Sequence, residues 1–154
     1  MFAPMFFAVL GGILALIGGI LGSVFGIAKA ASAGAAALAE DPRQFRSVIV
    51  LASLPMTQTF YGLILMIIII TAAVPKVEAG GNALAVLGIG FIGFVAELFS
   101  AIYQGSVCAS GISLLPKTKG QIFTSSMMLA VFVELLGVLG LVFSIMALTI
   151  LGLM

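Results

Sequence analysis

Apolar residues run through this chain in four long blocks, at about 5–39, 46–73, 82–115 and 120–153, separated by three short polar breaks. About 20 helical residues span about 30 Å of hydrocarbon, and each block meets or exceeds that length. The breaks hold turn and cap residues: Glu40, Asp41, Pro42, Arg43 and Arg46 in the first, Pro75, Lys76, Glu78, Gly80 and Gly81 in the second, Pro116, Lys117, Lys119 and Gly120 in the third. The pattern predicts an all-α membrane protein with four transmembrane helices. Blocks one and three are longer than a simple crossing, since about 34 residues at about 1.5 Å each give about 50 Å. Their ends are therefore expected to project from the membrane and present the first and third breaks.

Composition supports lipid as the solvent. Hydrophobic residues make up 63% of the chain and charged residues 7%, with a mean hydropathy of +1.39, too little polar surface to cover a water-soluble globule of 154 residues. A net charge of +1 with no basic cluster excludes a nucleic-acid binder. With no His and a single cysteine, Cys108, there is no metal or disulfide framework, and Cys108 among small residues reads as helix packing. The MFAPMFF start lacks a basic n-region and the first charge is Lys29, so the first block is expected to be a retained helix. The first and third breaks carry Arg43, Arg46, Lys117 and Lys119 against Lys76 in the second. By the positive-inside rule the loops near 40–46 and 116–120 are cytoplasmic, and both termini and the middle loop lie outside the cell membrane.

The chain also repeats itself. A shift of 77 residues sets Ser23 on Ser100 and Ala31-Ser32-Ala33-Gly34 on Cys108-Ala109-Ser110-Gly111, and a shift of 76 after the charged turn sets Gln58 on Glu134. Two tandem helical hairpins follow, over residues 1–78 and 79–154, of which only the second carries the carboxylate. Gly18, Gly22, Gly26, Ala30 and Gly34 form a small-residue stripe at four-residue spacing on the first helix. Such a stripe lets backbones approach closely, either within one subunit or where many copies meet around a ring.

Glu134 is the only charge between Lys119 and the C-terminus. A carboxylate at such depth costs about 2.5–3.5 kcal/mol on insertion scales, which makes it an ion or proton site by default. The second helix contains an unusually polar run, Leu54-Pro55-Met56-Thr57-Gln58-Thr59-Phe60-Tyr61, in which Thr57, Gln58 and Tyr61 share a face. Pro55 frees backbone oxygen nearby, by local helix geometry that of Leu51. The third helix adds Gln104, after Tyr103. Singly, these polar residues read as hydrogen-bonding glue between helices. Together with Glu134 they supply a carboxylate, two amide oxygens and a hydroxyl, a hard-oxygen set suited to an alkali cation. Gly88-Ile89-Gly90 lacks the context of a nucleotide loop, and no catalytic constellation is present.

The LPMTQTFYG run, Gln104-Gly105, the VELLGVLG segment around Glu134 and the duplicated hairpin resemble the proteolipid (K or c-type ring) subunit of bacterial V-type ATPases, particularly the sodium-transporting type, over essentially the whole chain. The resemblance implies Na+ as the ion, held by Glu134, Gln104, Gln58, the Thr57 hydroxyl and the main-chain oxygen of Leu54, with Tyr61 steadying the glutamate. It also implies a ring of identical subunits in membrane lipid, carrying the ion by rotation. A stator membrane subunit would supply an arginine, central-stalk subunits would sit at the cytoplasmic loops, and ATP chemistry would lie on another subunit. An H+-translocating ring of the same family is the alternative; a small multidrug transporter or a structural tetraspan protein fits less well. Glu97 departs from the family pattern. It lies seven residues before Gln104 on the same face, about 10 Å nearer the outer side, and reads either as a second site or exit-path residue, or as a carboxyl protonated or paired in the ring lumen or a subunit interface.

Overall fold

The computed structural model describes residues 4–154; the first three residues of the MFAPMFF stretch lie outside the described residues. Helix α1 (Pro4–Glu40) makes the first crossing. The second runs from Pro42 to Glu78 and is assembled from short pieces. A 3-10 turn at Pro42–Gln44 leads into α2 (Phe45–Ser53), a second 3-10 turn at Leu54–Met56 leads into α3 (Thr57–Ile68), and a π-helical segment at Ile69–Ala73 leads into α4 (Val74–Glu78). Helices α5 (Ala83–Leu114) and α6 (Phe123–Ile150) complete the four, and no strand occurs among the described residues.

Local chemistry sets the boundaries. Asp41 has extended backbone and its carboxylate accepts from the Arg43 amide, while Pro42 opens the turn where no amide donor is needed. Hydrogen bonds from the Arg43 and Gln44 side chains hold the Asp41 carboxyl at about 2, below its usual 3.8. Asn82 caps α5 by accepting from the amides of Leu84 and Ala85 at 3.0 and 3.2 Å. At the end of α4 the Gly81 amide reaches the Lys76 carbonyl, with Gly80 at φ +104°, a left-handed stop that glycine adopts without strain.

Two boundaries differ from the sequence expectation. The second crossing continues through Pro75 and Lys76 to Glu78, because the π segment just before Pro75 widens the helix where that proline offers no amide. It is thereby 37 residues long, the same as α1, so excess length is not confined to the first and third crossings. The third connection is longer than expected: residues 115–122 form successive turns around Pro116, with Lys119 and Gly120 both at positive φ.

Helices α1 and α5 form the central pair. A Cβ on Gly22 would stand 2.7 Å from the Leu98 carbonyl oxygen and 2.8 Å from that of Glu97, and one on Gly26 would run into the Ala101 oxygen. Between apolar helices in lipid, close backbone packing of this kind replaces the hydrophobic drive available in water. The small-residue stripe of α1 is thus used inside the subunit, against α5, Pro55 and Val48. The most apolar stretch of α6 is 22% buried against 39% for those of α1 and α5, so α6 is an outer helix. Two apolar clusters fill the interior. One gathers Ala15, Leu65, Ile69, Val86 and Leu148, the other Leu51, Cys108, Ile112, Leu115 and Ala130. The polar residues lie in the layer between them.

Candidate ion-binding site

The second crossing is broken where its side chains turn polar. Pro55 cannot donate a backbone hydrogen bond, and the chain tightens into the 3-10 turn at Leu54–Met56, whose Leu54 carbonyl receives the Thr57 amide. The Thr57 hydroxyl also stands 3.2 Å from the Leu54 oxygen and 3.2 Å from Gln58 Oε1. A main-chain carbonyl, a hydroxyl and an amide oxygen therefore gather at one point.

Glu134 enters from α6 and is only partly covered, with exposed Phe132, Leu135 and Leu136 beside it on the outer face. Its two oxygens are held separately. Tyr61 Oη donates to Oε1 at 2.9 Å, and Gln104 Nε2 donates to Oε2 at 3.1 Å. Gln104 Oε1 accepts from Gln58 Nε2 at 2.9 Å, which joins the carboxylate to the Leu54–Thr57–Gln58 oxygens. Gln58 and Gln104 are fully buried, so every polar atom they place here requires a partner. Glu134, Gln104, Gln58, Thr57, Leu54 and Tyr61 thus form one connected hydrogen-bond network.

Glu97 stands apart from that network, and it is 1% exposed within a single subunit. It lies between α5 and α6, against Gly137 and Gly140. Tyr103 is also outside the network; it is exposed and stacks on Phe99 with ring centroids 6.3 Å apart.

Sequence reasoning missed Ser100. Its hydroxyl accepts from Gln58 Nε2 at 3.0 Å and donates to the Val133 carbonyl at 3.0 Å, tying α3, α5 and α6 together beside Glu134. The signal was present in the repeat, which aligns Ser100 with Ser23. Ser23 plays the matching part in the first hairpin by accepting from Thr59 Oγ1 at 2.8 Å.

The same two-hairpin organisation is found among known proteins. The sequence model of the ATP synthase C-subunit family matches residues 10–69 and again residues 87–147, once per hairpin. The chain belongs to the ATP synthase C-subunit family. It is 33% identical over 145 residues to V-type sodium ATPase subunit K of Enterococcus hirae, covering 91% of this chain and 88% of that protein. It is also 37% identical over 121 residues to A-type ATP synthase subunit K of Methanocaldococcus jannaschii, covering 76% of this chain and 52% of the longer archaeal protein. The family fold is here a tandem pair of hairpins in a multi-pass membrane protein. This member of the family is a proteolipid ring subunit of a V- or A-type ATPase.

Proposed function

We propose that this proteolipid binds Na+ at Glu134 and carries it across the membrane by ring rotation coupled to ATP hydrolysis or synthesis on other subunits. The observation that carries the reading is the convergence of the Leu54, Thr57 and Gln58 oxygens on a network that ends at the Glu134 carboxylate. A proton needs one acceptor and one partner, whereas an alkali cation stripped of water needs several hard oxygens. The sodium ATPase relative supports the same choice.

Cation binding reorganises the hydrogen bonds in a definite way. An N–H pointed at the ion would repel it, so Gln104 turns its amide to present Oε1, and the Thr57 hydroxyl directs its hydrogen away. Tyr61 keeps its bond to Glu134 throughout. The bound cation neutralises the carboxylate, which then passes the lipid-facing part of the rotation without the cost of a bare charge. An arginine supplied by the stator competes for the carboxylate and favours release. Gln58 occupies the place of a second carboxylate in the first hairpin, so each four-helix subunit moves one ion. The loops near 40–46 and 116–120 face the cytoplasm and meet the central stalk, with both termini outside.

Carbodiimide modification of Glu134 in the purified ring tests the ion. Sodium is expected to protect Glu134 in a saturable manner at neutral pH, and Glu134→Gln to abolish both labelling and transport. Labelling unchanged at saturating sodium, with transport driven by protons alone, would establish the proton ring instead.

A further inference from the structure

Glu97 is a buried carboxyl that the Glu134 site does not use. Its Oε2 is buried and has no hydrogen-bond partner among the described residues. The α6 face opposite is built of glycine. A Cβ on Gly137 would stand 2.8 Å from Glu97 Oε2 and 3.0 Å from Ser100 Oγ, and one on Gly140 would stand 3.9 Å from Oε1. Any larger residue at Gly137 would therefore occupy the space shared by the carboxyl and the serine hydroxyl. Ser100 is one helical turn along α5 from Glu97 and accepts from Gln58, while Gly137 is one turn along α6 from Glu134.

The surroundings leave Glu97 no counter-ion. Of the titratable groups on the elements packed around α5, α6 offers Glu134 and α3 offers Tyr61, already engaged with Glu134. Lys29 and Glu40 on α1 lie further along, Lys29 bonded to Ser106 and Glu40 at the helix end, and Arg46 is at the start of α2. The turn at Leu54–Met56 and the π segment contribute none, and α5 itself adds Tyr103 and Cys108. An ionised carboxylate here would be a buried, unpaired charge beside another carboxylate. A protonated one is neutral and avoids the cost of an unpaired buried charge.

We propose that Glu97 is a second, proton-binding site of the subunit, set against Gly137 and Gly140 one helical turn along α5 from Ser100. Each protomer then carries two ionisable groups of different duty, Glu134 for the transported ion and Glu97 for a proton that stays. The proposal rests on Glu134 as the transport carboxylate and is tested with Glu134 replaced, so it does not depend on which ion Glu134 takes.

Infrared titration of the assembled ring in sodium-free buffer, with 13C-labelled glutamate, reads this directly. The Glu134→Gln ring is expected to show a protonated-carboxyl C=O band at neutral pH, and the Glu134→Gln/Glu97→Gln double variant to lose it. With Glu134 replaced, Glu97 is the one buried glutamate among the described residues, Glu40 and Glu78 being exposed, so the band belongs to it even if the double variant fails to assemble. Absence of the band in Glu134→Gln, or its survival in the double variant, would overturn the proposal. Sodium protection of Glu134 is a separate measurement, so failure of the sodium reading and failure of this one are distinguishable.

Discussion

Tyr61 and Gln104 hold opposite oxygens of Glu134, at 2.9 and 3.1 Å, and this fixes the carboxylate before any ion arrives. Preorganisation of this kind lowers the entropic cost of binding. A hydrogen bond to a charged acceptor contributes about 1.5–3 kcal/mol. Tyr61→Phe removes one such bond while keeping the ring, so the sodium concentration that half-protects Glu134 from carbodiimide should rise about 10- to 100-fold. An unchanged value would mean that the phenol only packs. The residue types at the site were legible in sequence because a charge and two amides stand out against an apolar background. Ser100 was not, since serine is common wherever helices pack closely, and its role depends on Gln58 and the Val133 carbonyl reaching it from two other helices.

Among the elements, the α1–α5 contact governs where everything else sits. Gly26 and Gly105 meet backbone to backbone, so a Cβ on Gly105 would run into the Gly26 Cα and carbonyl oxygen. Neither atom can move without shifting a whole helix. Gly105→Ala should therefore destabilise the subunit by about 1–3 kcal/mol and lower the yield of assembled ring. Gly88, on the same helix, has nothing within 4 Å of where an added methyl would lie, so Gly88→Ala should be neutral or stabilising by about 0.5–1 kcal/mol through helix propensity. Thermal midpoints of the two variants in detergent check the contrast, and similar midpoints would remove the close-contact explanation. The four helices were readable from hydropathy alone. The breaks at Leu54–Met56 and Ile69–Ala73 were not, because a proline announces a disturbance without fixing whether the chain answers with a tighter or a wider turn.

For the whole molecule, the positive-inside rule applied to the basic residues at 43, 46, 117 and 119 predicts that their loops face the cytoplasm. Cysteines placed at Lys119 and at Gly152, in a background lacking the buried Cys108, should react with a membrane-impermeant maleimide from opposite sides, Lys119→Cys from the cytoplasm. Reversed labelling would invert the access paths to the site. Two of the loops also pack on each other. The first is pinned by Asp41, Arg43 and Gln44, and Gln44 Oε1 stands 3.0 Å from where a Cβ on Gly120 would lie, so the two loops of this end are packed together as one surface.

The sequence by itself determined the membrane setting, the four crossings, the tandem repeat and the residue types of the candidate site, because hydropathy, charge placement and internal similarity are linear properties of the chain. The tertiary structure decided what depends on contacts between helices. It placed the Leu54 oxygen beside the Thr57 hydroxyl, used the glycine stripe of α1 against α5 within the subunit, added Ser100, and enclosed Glu97 against Gly137. The physical reason is common to all four. A side chain's partners in lipid are set by which backbones can come close, and that is fixed by the register of one helix against another.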